Sequence, residues 1–127
     1  VALFSMTSTR PQVVYWSSTG ITKRVAERFN GVPLEQYQGG DYVLVVPSYG
    51  APRTGNYVPV AVKKFLGETG DCLTGVIGVG NTNFGPDFCL GAVRIAERWG
   101  VPLIAKVDLV PSVEDEEAIT KFLQGGR

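Results

Sequence analysis

Gln12-Val13-Val14-Tyr15-Trp16-Ser17-Ser18-Thr19-Gly20-Ile21-Thr22 is the stretch from which the architecture of this 127-residue chain is read. Gln12–Trp16 is rich in β-branched and aromatic residues and reads as strand one. Ile21, Val25 and Phe29 then recur at helical spacing with Lys23, Arg24, Glu27 and Arg28 between them, and Gly31 reads as the stop. A strand, a short polar loop and an amphipathic helix open a βαβ unit. The loop between them holds three hydroxyls, Ser17, Thr19 and Thr22, beside the free N–H groups of a helix N-terminus and with no cation within it. That donor set suits a phosphate monoester held by oriented dipoles, and Gly20 lets the backbone approach closely. A helix N-cap with spare hydroxyls is the plainer reading of the same residues.

Outward from this loop the pattern repeats. Val32–Tyr37 reads as a weak second strand before a Gly39-Gly40 turn, and Tyr42–Pro47 (YVLVVP) is apolar throughout, as a parallel strand buried on both faces must be. A loop rich in Gly, Pro and Asn spans Ser48 to Tyr57, and Pro59 starts a helix that turns Val62, Phe65 and Leu66 inward. Leu73–Gly80 (LTGVIGVG) is the fourth strand. After a second polar loop Pro86 opens a helix with Phe88, Ala92, Ile95, Ala96 and Trp99 on one stripe, closed by Gly100. Pro102–Asp108 is the fifth strand. Ser112 caps a last helix with Glu114 and Asp115 in its first turn, and Gly125 ends it. Five strands separated by helices predict an α/β fold, a doubly wound parallel sheet with right-handed crossovers. Ligands of such sheets sit beyond the carboxyl ends of the strands. The loops at 17–22, 48–57 and 81–86 leave from those ends.

Composition bounds the function. The chain is 44% hydrophobic and 19% charged, which describes one globular domain. Residues 11–127 are expected to form it, with residues 1–10 an extension outside the fold; Met6, the single methionine, is a candidate start of translation. Twelve basic residues balance twelve acidic ones, so no overall charge steers the chain to nucleic acid or anionic lipid. No apolar run reaches the roughly 20 residues that span a bilayer. The absence of histidine removes the usual general base and most zinc sites. Cys72 and Cys89, far apart in sequence, are expected to be two buried free thiols in a reducing cytoplasm. The P-loop signature is missing, and Gly78-Val79-Gly80-Asn81-Thr82-Asn83 lacks the third glycine of a dinucleotide fingerprint.

The Ser-x-Thr-Gly-x-Thr spacing of Ser17–Thr22 is similar to the FMN phosphate loop of flavodoxins. Gly80-Asn81-Thr82-Asn83-Phe84-Gly85, followed by Phe88-Cys89, resembles the motif after strand four in the NrdI family, the small flavodoxins that serve class Ib ribonucleotide reductase. Pro47-Ser48-Tyr49-Gly50, Tyr57-Val58-Pro59 and Gly100-Val101-Pro102 extend the likeness over about residues 12–123. The resemblance implies a flavodoxin-like sheet of order 2-1-3-4-5 and bound FMN. By position, Ser17, Ser18, Thr19, Gly20, Ile21 and Thr22 would hold the phosphate, and Ser48, Tyr49 and Gly50 would line one side of the isoalloxazine. Asn81, Asn83, Phe84 and Gly85 would frame its other side, with Asn56 and Tyr57 completing the cofactor-binding set. It further implies that reduced flavin reacts with dioxygen and that the oxidant reaches a dimanganese site in the reductase's small subunit. A separate reductant must then reload the flavin. Two departures from the family stand out: Ile21 where many members carry asparagine, and Pro111 where glycine is usual. Ala51-Pro52 restricts the second loop, and Arg53 is the cation nearest the expected flavin face. A general electron-transfer flavodoxin and a flavin-free doubly wound binding or regulatory module remain alternatives.

Overall fold

The computed structural model describes residues 11–17, 20–47, 58–80 and 89–125. Its strands are β1 (Gln12–Tyr15), β2 (Val32–Pro33), β3 (Tyr42–Pro47), β4 (Leu73–Gly80) and β5 (Leu103–Asp108). Its helices are α1 (Ile21–Glu27), α2 (Val60–Thr69), α3 (Leu90–Trp99) and α4 (Val113–Leu123). All strand pairs are parallel, in the order β2-β1-β3-β4-β5. The expected doubly wound sheet is therefore present. No helix among the described residues is long and apolar enough to cross a membrane.

Alternation along β3 shows how the sequence builds two cores. Tyr42, Leu44 and Val46 face one side, with Val62, Leu66, Ala92, Ile95 and Ala96 of α2 and α3. Val43 and Val45 face the other, with Val25 and Ala26 of α1 and Ile119 of α4. Side chains on a strand change face at every residue, so one unbroken apolar run serves both layers. A register shift at Tyr42/Val43 opposite β4 adds one residue to that strand. Beyond it Gly75 faces Ile104 and Phe122, and Gly78 faces Ala92 and Cys89.

The second strand is shorter than its sequence predicts. Only Val32 and Pro33 pair with β1, and Leu34–Gln36 coil into a 3-10 turn. Proline has no N–H to carry the ladder onward and is confined to sheet edges. Tyr37 instead folds its ring back against Tyr42 and Phe65, with centroids 5.0 and 5.4 Å away. The other differences are single positions with local causes. β1 stops at Tyr15, although the Trp16 N–H still donates to the Val45 carbonyl at 3.2 Å. At the end of α1 the left-handed residue is Asn30, φ 61°, not Gly31. Gly31 is needed for space, because a Cβ there would lie 2.8 Å from that of Ala26. The predicted opening of α3 at Pro86, and Phe88 with it, falls outside the described residues; the helix is described from Leu90, with Cys89 at its N-cap. Ser112 caps α4 as expected, in a capping box: its Oγ accepts from the Asp115 N–H at 3.0 Å and its own N–H donates to Asp115 at 2.9 Å.

Candidate functional site

The sheet order decides where a ligand can sit. From β1 the chain moves outward to β2, then crosses back to β3 on the other flank of β1. The switch point therefore lies between the carboxyl ends of β1 and β3, where adjacent connections part to opposite faces and open a crevice. Tyr15 is level with Val45, Pro47 with Val79, and Gly80 with Asp108. The segments 17–22, 48–57 and 81–88 thus all begin at the same edge of the sheet.

Within the first segment, Ser17, Gly20, Ile21 and Thr22 are described. Gly20 takes φ 96° and ψ −13°, a left-handed conformation that costs glycine little. Its N–H donates to Ser17 Oγ at 3.0 Å, and its carbonyl accepts from the Arg24 N–H at 3.0 Å. The serine hydroxyl thereby fixes the turn that points the chain into α1. Thr22 is 3% exposed, the one buried polar residue in the described chain, and its hydroxyl has no partner among the described residues. A buried hydroxyl normally finds a hydrogen-bonding partner, so this one marks a place where an acceptor belongs. The first turn of α1 carries no acidic residue to repel an anion. Ile21 is half-buried against the core on the α1/α4 side, so at this position only the backbone is polar.

A depression of about 280 Å³ adjoins the loop, lined by Trp16, Ser17, Gly20, Lys23 and Glu35 among others. Lys23 and Trp16 were not among the residues picked from the sequence. Lys23 stands one position beyond the hydroxyl motif, and a charged residue on a helix's outer face carries no signal of its own. The loop read as cation-free therefore has a cation at its border. Ser18, Thr19, Ser48, Tyr49, Gly50, Arg53, Asn56, Tyr57, Asn81, Asn83, Phe84 and Gly85 lie outside the described residues.

The thiols differ from expectation. Cys89 is buried, 1% exposed, whereas Cys72 is only half-buried. Burial pushes the Cys89 thiol up from its ordinary 9.0 to about 12, a rise that nearby Lys106 only partly offsets. It stays protonated at neutral pH and is no nucleophile. Burial also raises Tyr37 and Tyr42. Because these groups hold their protons more tightly when folded, the stability they lend is complete below about pH 9. It is lost as pH climbs from 9 toward 12, where the unfolded chain ionises first. We expect the urea midpoint to fall steadily over that interval. Cys89→Ala should flatten the slope by up to about 1.4 kcal/mol per pH unit, one proton's share. An unchanged slope would remove Cys89 from this account. Iodoacetamide at pH 8 should label Cys72 and spare Cys89 until the protein unfolds.

Comparison with known proteins follows the same lines. The sequence profile of the NrdI flavodoxin-like family matches residues 13–121. The proteins called Protein NrdI from Brucella ovis, Brucella canis and Brucella melitensis are each 36% identical over 114 residues, covering 81% of this chain and 84% of theirs. Among solved structures, a short-chain flavodoxin associated with a non-canonical PDU bacterial microcompartment superimposes with a TM-score of 0.61 at 21% identity. The match covers 91% of this chain and 94% of that one, a likeness of fold.

Proposed function

The chain belongs to the NrdI flavodoxin-like family, the flavodoxins that activate class Ib ribonucleotide reductase, and from that premise we propose that it binds FMN at the carboxyl edge of its sheet and works on the reductase's small subunit. The single observation that carries the reading is the turn at Ser17–Thr22. A left-handed Gly20 is held by Ser17, and the buried hydroxyl of Thr22 stands without a described partner at the switch point. Family membership brings flavin binding; the choice of FMN rests on the fit of this turn to a terminal phosphate.

The phosphate is assigned to Ser17, Ser18, Thr19, Gly20, Ile21 and Thr22. Hydroxyls and N–H groups there replace the water a phosphate would lose, and dipoles fixed by the fold need no reorganisation to do so. Lys23, at the border, adds a favourable charge. The ring is assigned to Ser48, Tyr49 and Gly50 on one side and Asn81, Asn83, Phe84 and Gly85 on the other, with Asn56 and Tyr57 completing the set. Flat aromatic walls and amide groups are what a heteroaromatic ring with hydrogen-bonding edges requires. Bound flavin supplies the redox chemistry, taking electrons from a reductant and passing them to dioxygen. The protein's part is to hold, orient and expose it, so no side chain has to act as acid or base. This agrees with a chain without histidine whose buried thiol stays protonated. We place this work in the cytoplasm, where the reductase and a flavin reductant would both be found.

The test uses the flavin-loaded protein, reduced, with dioxygen and the manganese-loaded small subunit of a class Ib reductase. Electron paramagnetic resonance should show a tyrosyl radical in several-fold greater yield than without the protein. Equal yields would end the proposal. A protein that reduces other redox partners but leaves the radical yield at background would favour the general electron-transfer flavodoxin.

A further inference from the structure

Between them α2 and α3 leave a groove of about 670 Å³ on the outer surface, which reaches Val58 just before α2. Its floor is apolar, formed by Leu66 and Ile95, whose side chains also belong to the core beneath. The indole of Trp99 lines the groove and packs against Gly70, where an added Cβ would meet its ring at 2.2 Å. Among the described residues, the charges of these helices are sorted by sign around the groove. The two helices carry Lys63, Lys64, Arg94, Arg98, Glu68 and Glu97. Three of the four cations line the groove, and neither glutamate is among its described lining residues. Arg98 lies over the Trp99 ring, 5.9 Å from its centroid, which sets a guanidinium and an aromatic face side by side.

Gly67 supplies a second, independent observation. It sits within α2, where glycine weakens a helix, yet its φ is not left-handed and a Cβ added there would meet no described atom within 4 Å. Among the described residues, neither backbone conformation nor close packing explains it. What its missing side chain does is keep the groove open. We infer that this groove is a binding site for a small aromatic anion, a molecule with one flat apolar body and one carboxylate, sulfonate or phosphate group. The body lies on Leu66 and Ile95 beside Trp99, over Gly67, and the anionic group meets Lys63 and Arg98. The volume is that of an ordinary small-molecule site, and an apolar floor bordered by a few charges is the usual way such sites fix orientation.

The probe is 2-naphthalenesulfonate, titrated into 15N-labelled, FMN-saturated protein and followed by amide and indole chemical shifts. Neutral 2-naphthol and inorganic phosphate serve as the apolar body and the anion alone. We expect saturable binding with shifts centred on Gly67, Ile95 and the Trp99 indole, at least about tenfold tighter than either half-probe. Lys63→Glu combined with Arg98→Glu should weaken sulfonate binding by about tenfold or more, and the milder Arg98→Gln by a lesser factor in the same direction. Gly67→Leu should abolish it without lowering the thermal midpoint or FMN affinity, because that side chain fills the groove and suits the helix. The inference is overturned if 2-naphthol or phosphate binds as tightly as the sulfonate, if the shifts fall elsewhere, or if Gly67→Leu binds like the parent.

Discussion

Gly20→Asp is expected to weaken FMN binding by at least about 30-fold relative to Gly20→Asn, while riboflavin affinity differs between the two by less than about threefold. The pair separates charge from shape. Gly20 is left-handed at φ 96°, and the space beyond its Cα is open, with no described atom within 4 Å of an added Cβ. Asparagine and aspartate tolerate that conformation better than other side chains, so both variants should retain the turn held by Ser17. They differ by one negative charge beside the proposed phosphate. Two unit charges 6 Å apart at an effective dielectric of 20 repel by about 3 kcal/mol, and about 1.4 kcal/mol is a factor of ten. A 30-fold loss therefore asks for less than the full repulsion, which allows for screening by salt. Riboflavin lacks the phosphate and should not sense the change. Quenching of flavin fluorescence on binding measures all four affinities. Equal losses for FMN and riboflavin would show that this loop does not hold the phosphate.

Gly78→Val should cost about 3 kcal/mol or more, a large share of the 5–15 kcal/mol that stabilises a typical domain. A Cβ at this position would lie 2.8 Å from the Cβ of Ala92 and 2.9 Å from that of Cys89. Those atoms are fixed to the backbone at the start of α3 and cannot swing aside. Relief requires lifting the helix from the sheet, and Ala92, Ile95 and Ala96 then lose their burial. Gly70 makes a useful contrast. Its closest neighbour is the rim of the Trp99 ring, a side chain with torsions of its own, so Gly70→Ala should cost less despite the shorter distance. Gly78→Ala should fall between parent and Gly78→Val, and Ala92→Gly should recover part of its loss when the two are combined. Urea denaturation of the parent, Gly78→Ala, Ala92→Gly and the double variant measures the coupling. Strict additivity would mean that the helix and strand do not meet at this point.

Much of the fold was legible because its signals are local. The apolar run Tyr42–Pro47, the helical spacing of Val62, Phe65 and Leu66, and the Ser112 cap each state their structure within a few residues, and the structure agrees. The errors fell where a local signal was weak or where distant residues decided. Val32–Tyr37 has strand-like composition, but Pro33 cannot extend the ladder, and Tyr37 gains more from Tyr42 and Phe65 than from an edge position. Gly31 read as a helix stop, yet it is required by contact with Ala26, and the left-handed residue is Asn30. Cys72 and Cys89 look alike in sequence; only their places in the fold make one half-exposed and the other buried.

The turn at Ser17–Thr22 divides in the same way. Sequence alone determined that it joins a strand to a helix and carries hydroxyls in place of charges, because both properties are chemical and short-range. Tertiary structure decided that Gly20 is left-handed, that Ser17 holds it, that Thr22 is sealed from water and that Lys23 borders the site. It also placed the turn at the switch point, since strand order depends on which apolar faces bury one another across the sheet. The groove between α2 and α3 belongs wholly to that second kind. Its three cations and its one unfilled position come from two helices with a whole strand between them in sequence, and no spacing within either helix announces the space they enclose.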